Sequence, residues 1–390
     1  MGNGKTIINI FDSEKSLREV YPKKFYFNLK DDIFIPYWDE FLSYATKHNL
    51  NIRPIVVDEV SKTVKCKTKL LGGSIYECPN CHKIMYVYNT CKSRFCNSCG
   101  VKYAKQRTNE ILSHMVDCTH RHLVFTMPDY IWPLFQKDRK LLNLVFKAVS
   151  ITLNSWCKEK YKKYKLGFIQ TLHTFGRDEK WNVHMHVLIA ERLISKFGDK
   201  KLDFFPYEML RKRWMTVLLK LIEDKLGPSF KPLRDRCYND YKDGFYIRAK
   251  KNEFPNNKKG VEYILRYCGR PCFAQYRIID IRDNFITFWY HRHEDDKIVV
   301  EKVHIFEFIS RLIKHIPERN FKTIRYYGFY TTKNKSILDS CRKFISDVKA
   351  QFNKKMTNWR NLSLFSFNKD PLKCSCGTIM EYAGIVPRLE

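Results

Sequence analysis

Val183-His184-Met185-His186-Val187-Leu188-Ile189 alternates as a strand does. Successive side chains of a strand point to opposite faces, so Val183, Met185, Val187 and Ile189 share one face and His184 and His186 the other. A strand that buries an apolar face and presents two imidazoles on the reverse is half of a metal site. Further on, Tyr263-Ile264-Leu265-Arg266-Tyr267 sets two phenols four residues apart. On a helix they share a side, with Val261, Ile264, Leu265 and Cys268 largely on the other. A divalent ion that polarises a phosphate, combined with paired tyrosine nucleophiles, is the chemistry of breaking and rejoining DNA through a phosphotyrosine.

The totals agree with an anionic partner. The chain has 390 residues, enough for two or three domains, and carries 71 Lys+Arg against 41 Asp+Glu, a net +30 spread over its whole length. Such a field attracts a polyanion, usually nucleic acid. A membrane is the competing surface, but no apolar run reaches spanning length and no signal peptide is expected. Met1-Gly2-Asn3-Gly4-Lys5-Thr6 imitates both a myristoylation signal and the end of a phosphate loop. The first pattern matches often by chance, and the second lacks the upstream glycine that closes the loop. Fourteen cysteines would suit a secreted disulfide protein, yet five are crowded between Cys78 and Cys99 at metal-like spacing. A reduced, intracellular compartment is expected.

Periodicity and turn residues divide the chain into a helical N-terminal segment (1–62), a cysteine-bearing module (63–110), a large α+β domain (111–335) and a helical tail ending in a C-x-C motif (336–390). The elements expected are helices over 34–49, 104–115, 138–162, 207–225 and 306–315, and strands over 121–126, 168–175, 183–190 and 323–330. A hairpin joins 168–175 to 183–190 through Gly176-Arg177-Asp178-Glu179-Lys180, and a meander covers 277–303. In the tail, 336–352 reads as one more helix.

Cys78-Pro79-Asn80-Cys81 and Cys96-Asn97-Ser98-Cys99-Gly100 are two knuckles separated by fourteen residues. Four thiolates so spaced suit one tetrahedral Zn²⁺, with Gly100 easing the second turn and Cys91 a spare thiol that could substitute as ligand. A closed four-cysteine site leaves no position for catalysis, so this zinc is expected to be structural and independent of the catalytic ion. The H-x-H pattern by itself is cheap, because the chain has three: His120/His122, His184/His186 and His291/His293. Only the middle pair encloses an apolar residue; the others enclose Arg121 and Arg292. His173, in Leu172-His173-Thr174-Phe175 on the partner strand, is the expected third ligand. With 23 tyrosines in the chain, Tyr263 and Tyr267 could equally be core-edge aromatics. Lys258, Lys259, Arg266 and Arg270 around them favour a phosphodiester site instead.

Several segments together resemble one family. Asn89-Thr90-Cys91-Lys92-Ser93-Arg94-Phe95-Cys96-Asn97-Ser98-Cys99 resembles the zinc-binding segment of rolling-circle insertion-sequence transposases. His122-Leu123-Val124-Phe125-Thr126-Met127-Pro128, Leu172–Asp178, His184–Leu188, Tyr263–Tyr267 and Arg325-Tyr326-Tyr327-Gly328 are similar, in order, to blocks of that family's HUH nuclease. The resemblance covers roughly 64–330. It implies a zinc-ribbon-like module followed by a nuclease domain whose central antiparallel sheet is flanked by helices. It also implies His184 and His186 as ligands of Mg²⁺ or Mn²⁺ and Tyr263 and Tyr267 as nucleophiles on single-stranded DNA; His173 follows the three-histidine arrangement of related relaxases. Phe95 stands where the family often has a histidine, and Cys374 and Cys376 form C-x-C where it has C-x-x-C, which leaves a second zinc open.

The function expected is that of a transposase that nicks and rejoins single-stranded DNA through a 5′-phosphotyrosine without ATP. The rival readings are a plasmid replication initiator or relaxase of the same chemistry, and a zinc-containing nucleic-acid-binding protein without catalysis. Tyr263 is expected to cut first, because it lies one helical turn nearer the basic loop 258–260 and the helix N-terminus.

Overall fold

In the computed structural model of the chain the described residues are 7–22, 26–116, 118–195, 198–249, 272–292, 294–331 and 358–389. The strand that decides the fold runs from Trp181 to Ala190 and pairs antiparallel with Gly167–Phe175. In chain order the strands are β1 (Ile7–Phe11), β2 (Gly73–Glu77), β3 (Ile84–Tyr88), β4 (His120–Phe125), β5 (Gly167–Phe175), β6 (Trp181–Ala190), β7 (Arg192–Ser195), β8 (Gly198–Lys201), β9 (Ile247–Ala249), β10 (Ile278–Arg282), β11 (Phe285–His291), β12 (Ile298–His304), β13 (Ile324–Gly328) and β14 (Glu381–Val386). The central sheet has the order β13-β5-β6-β4-β9 and is antiparallel throughout. The α+β expectation therefore holds.

One face of this sheet is a helix-covered core. Val183, Met185, Val187 and Ile189 are fully buried there, with Leu123 and Phe125 of β4 beside them. Helix Leu142–Lys160 meets them with Val145, Val149 and Leu153, and helix Tyr207–Leu226 with Leu210, Trp214, Leu218 and Ile222, each set spaced by four along one stripe. Full burial of such a side chain is worth about 1.5–3 kcal/mol. The opposite face is divided. At one end Ile169, Leu188 and Ala190 pack against Ile111 and Met115, at the C-terminal end of helix Asn97–His114 and just beyond it. At the other end stand the histidines.

The N-terminal segment is more than a helical lead-in. Its five apolar or amide residues Ile7-Ile8-Asn9-Ile10-Phe11 form β1, which pairs with β12 in a second sheet of order β1-β12-β11-β10. Phe34, just before helix Ile35–Lys47, Phe41 within it, and Val56 and Val60 of helix Pro54–Val64 are buried against Phe288 and Phe308 of the 278–313 region. Residues 278–316 thus share a core with 29–60 and not with the histidine-bearing sheet, so the boundary drawn at 62 separates residues that pack together, while the one at 335 lies outside the described residues. Local periodicity could not reveal this, because the partners are more than two hundred residues apart. The two cores meet at the β5–β6 turn. Glu179, buried and at φ +62°, pairs with Arg277, whose guanidinium also donates to the Arg177 carbonyl at 3.0 Å.

The tail differs as well. The residues expected as helix 336–352 lie outside the described set, while 359–367 is helical and β14 adds to β2 in a three-stranded sheet β14-β2-β3.

Gly328 sits opposite Gly167 at the end of the β13–β5 pair. Its φ is +62°, and a Cβ there would meet the Leu166 carbonyl oxygen at 1.6 Å, whereas at Gly227 (φ +73°) the space is open. Left-handed strain alone costs about 1–3 kcal/mol at either position. Gly328→Ala should therefore lower the urea midpoint clearly more than Gly227→Ala does, and equal midpoints would disprove the clash.

Candidate functional site

The β5–β6 register sets His173 opposite His184 and Thr171 opposite His186. Directly opposed residues share a face, so the three imidazoles stand together on the face of the sheet away from the helix-covered core. One ring nitrogen from each lies within 4.8 Å of the others. Nε2 of His184 and Nε2 of His186 are 3.1 Å apart. Nδ1 of His184 lies 3.1 Å from the Asn182 carbonyl oxygen; donating its proton there leaves the Nε2 lone pair turned inward. Burial first, then the neighbouring imidazoles, holds His173 and His186 well below the usual histidine range. Neutral imidazoles are the form that binds a metal.

A fourth histidine belongs to the group. His122 of β4 places Nε2 2.8 Å from Nδ1 of His186, with the rings stacked at 5.1 Å. With Nδ1–H of His186 donating to His122, the Nε2 lone pair of His186 would be left to hold an ion, with its tautomer and ring plane fixed. Sequence reading passed over His122 because its H-x-H encloses Arg121. The signal was the alternation of β4, in which Leu123 and Phe125 face the core and His122 and Val124 the other side. Arg248 of β9 lies opposite Val124, itself opposite His186, so an exposed residue of positive charge ends this row. Burial, followed by Arg248 and His184, pushes His122 down to about 4.

Tyr263, Tyr267, Lys258, Lys259, Arg266 and Arg270 lie outside the described residues. The described residues that bracket them are informative. Before them the chain leaves from β9, the neighbour of the His122 strand. After them Cys272 lines, with His173, Thr174, Phe175 and His315, a cavity of about 110 Å³.

The thiols divide differently from the expectation. Cys78, Cys81, Cys96 and Cys99 do not converge. Cys96 and Cys99 join Cys66 and Cys91, while Cys78 and Cys81 join Cys374 and Cys376; each group has its sulfurs within 4.8 Å. The cause is the hairpin β2–β3. Cys66 and Cys91 flank its base, where Lys67 N–H donates to the Asn89 carbonyl at 3.0 Å, and Cys78 and Cys81 sit at its tip. Five strand residues carry the tip about 17 Å away. Cys91 is thus a member and not a spare, and Cys66, two residues beyond helix Pro54–Val64, was missed for want of a nearby partner cysteine. Gly100 lies in helix Asn97–His114 and makes no left-handed turn; Gly377, at φ +92° after Cys376, does.

Both donor sets fit zinc. Tetrahedral Zn–S bonds of 2.3 Å imply sulfur separations of about 3.8 Å. The observed values are 3.6 Å for Cys66–Cys99 and Cys91–Cys99, 3.5 Å for Cys78–Cys376 and 3.6 Å for Cys81–Cys374. The first cluster is not separate from the histidine region. Its loop between Cys91 and Cys96 carries Arg94 and Phe95, which line the His173 cavity, and Arg94 donates to Thr323 Oγ1 at 2.8 Å.

Histidines clustered on an antiparallel sheet beside a thiol-bound module are the arrangement of a zinc-bearing DNA-processing enzyme. Comparison with known proteins agrees. Residues 33–127 match the family "Transposase zinc-binding domain" and residues 167–336 the family "Putative transposase". The transposase for insertion sequence element IS801 of Pseudomonas savastanoi pv. phaseolicola is 29% identical over 361 residues, covering 87% of this chain and 86% of its own. Putative transposase y4qJ of Sinorhizobium fredii (strain NBRC 101917 / NGR234) is 24% identical over 72% of this chain and 76% of its own. No solved structure matches. The chain belongs to the rolling-circle insertion-sequence transposases with an N-terminal zinc-binding domain; it acts on DNA, and the domain match with the cysteine clusters supports structural zinc. Among the described residues no helix is long and apolar enough to cross a membrane.

Two closed thiol clusters predict two zinc equivalents per chain by elemental analysis. Cys374→Ser with Cys376→Ser should retain one and lose cooperative unfolding of β14 alone. Cys66→Ser should also displace Arg94 and Phe95 and so depress strand cleavage. A preparation holding a single zinc in the wild type would contradict this division.

Proposed function

We propose that this transposase cuts and rejoins single-stranded DNA with His173, His184 and His186 as ligands of one divalent ion and with Tyr263 and Tyr267 as nucleophiles. The observation that carries the reading is the convergence of three inward-facing imidazoles, with Cys272, which follows the tyrosine segment in sequence, lining the same cavity as His173. Three imidazoles suit a first-row ion such as Mn²⁺ better than Mg²⁺, which prefers oxygen ligands and water. Bound there, such an ion would supply charge to polarise the scissile phosphate.

The protein's part is positioning. His184 is oriented by Asn182 and His186 by His122. Arg248, with Lys258, Lys259, Arg266 and Arg270 of the neighbouring segment, would hold the phosphodiester. A tyrosine oxygen forms the bond to phosphorus as its phenol proton leaves. The phosphorus–O3′ bond breaks, and the departing O3′ takes up a proton. The products are a 5′-phosphotyrosine and a free 3′-OH; the bond energy is retained for the reverse attack, so no ATP is required. Two tyrosines allow a second strand to be taken before the first is released, in keeping with rolling-circle transposition. Tyr263, nearer the basic loop, would take the first.

Incubation with labelled single-stranded element ends, followed by a denaturing gel, should give a covalent protein–DNA band that vanishes in Tyr263→Phe/Tyr267→Phe and in His184→Ala. Binding without any band in the wild type would favour a non-catalytic nucleic-acid-binding role. Between the single variants, Tyr263→Phe should slow the first adduct more; normal adduct from Tyr263→Phe with none from Tyr267→Phe would reverse their order.

His122→Ala should weaken ion binding about 10–100-fold, as loss of an orienting partner does. Activity should return at raised Mn²⁺, and a defect that no metal concentration rescues would argue that His122 acts otherwise.

A further inference from the structure

A groove of about 1500 Å³ runs between the 50–56 turn and helix start, the 133–143 segment and the loop 313–325. Eight basic residues line it against two carboxylates, Asp138 and Glu318. Both carboxylates are already engaged: Asp138 Oδ1 accepts from the Lys140 N–H at 2.9 Å, and Glu318 pairs with Arg53. Lys137, Lys140, Lys314 and Lys322 are exposed, and no carboxylate pairs with them among the described residues. Unpaired ammonium groups lining one concave wall make a binding surface for a polyanion, and not the mixed-sign face of an ordinary soluble protein.

The groove is continuous with the histidine region. Arg139, Glu318 and Phe321 line both the groove and the smaller cavity of about 110 Å³ that His173 lines. Arg139 stands at the junction. Its side chain is 10% exposed, its Nε has no hydrogen-bond partner, and its guanidinium lies over the Trp181 ring at 4.8 Å. Glu318 is 4.0 Å from Arg139 and is shared with Arg53, so two guanidiniums face one carboxylate. An incoming anion would relieve that imbalance.

We infer that the groove is the track of the DNA single strand. Backbone phosphates lie on Lys137, Lys140, Lys314 and Lys322, and Arg139 receives the phosphate where the strand turns toward His173. A duplex could rest on the open groove, but only an unpaired strand can send a phosphate into a cavity of that size; a basic groove that follows the backbone is how single strands are held without sequence preference. The inference rests on the nuclease reading for the direction of the strand, and it adds to that reading a surface beside helix Trp132–Lys137 that lies outside the histidine and tyrosine motifs.

The test uses the full-length protein, fluorescent oligo(dT) and salt titration of binding. A triple variant, Lys137→Gln/Lys140→Gln/Lys322→Gln, should weaken binding about tenfold at low salt and reduce the log–log salt slope by about 2, since each phosphate contact contributes about 0.7 for single strands. A second triple variant, Lys158→Gln/Lys160→Gln/Lys162→Gln, removes the same charge from the end of helix Leu142–Lys160 and should leave the slope unchanged. If both triples behave alike, or the groove triple keeps the wild-type slope, the track is wrong and the net field alone binds DNA. Loss of duplex binding with single-strand binding intact would also overturn it. In parallel, the wild type is incubated with labelled single-stranded element ends and Mn²⁺ and the covalent adduct is read on a denaturing gel. A slope that falls as expected with no adduct in the wild type would sink the nuclease reading while the groove stands.

Discussion

The register of β5 against β6 is the constraint on which the rest depends. Side chains alternate with a period of two, so a slip of one residue would drive His184 and His186 into the core and turn Val183, Met185 and Val187 to the outside. The helices 142–160 and 207–226 hold the apolar face so tightly that this slip is excluded. On the far side the turn is pinned by Glu179 with Arg277 and by His315, whose Nε2–H donates to the Glu179 carbonyl at 2.9 Å. A shift in the pairing between His173 and Phe175 releases the strand just past His173, a common device for re-aiming a side chain.

The thiol clusters extend the same logic to the outer framework. The first ties a helix end, the base of the β2–β3 hairpin and the start of helix Asn97–His114. From that knot Arg94 and Phe95 reach the His173 cavity, so the first thiol cluster abuts the histidine region instead of standing apart as a module. The second cluster joins the hairpin tip to residues nearly three hundred positions away, beside the β14–β2 pairing. Metal affinity at such sites adds directly to folding free energy, because the unfolded chain has no preformed site.

Charge acts at two ranges. The net +30 draws DNA from a distance and is screened over about 8 Å in physiological salt. Within that range it is the placement of unpaired lysines and of Arg139 that decides where a strand can rest. Some arginines elsewhere are committed to structure: Arg121 pairs with Glu191 and donates to Tyr207, and Arg311 is buried with Glu301.

Much of the histidine face was legible in the sequence, because a period-two alternation is a local property that survives any arrangement of the rest. The hairpin, the meander and the long helices followed from the same kind of signal. Knuckle spacing announced thiolate sites, but not which thiols share an ion: a five-residue hairpin separates neighbours in sequence and joins strangers, and only strand pairing fixes that partition. His122 was hidden for the same reason, since its partner lies on a strand 64 residues away. The family blocks carried the nucleophiles and the single-strand chemistry as implications of resemblance. The sequence by itself determined which faces are apolar and which residue types could bind metal and phosphate. Tertiary structure alone decided which cysteines meet, which histidine steadies the ligands and where basic side chains gather, because those depend on packing between segments whose separation along the chain carries no periodic signal.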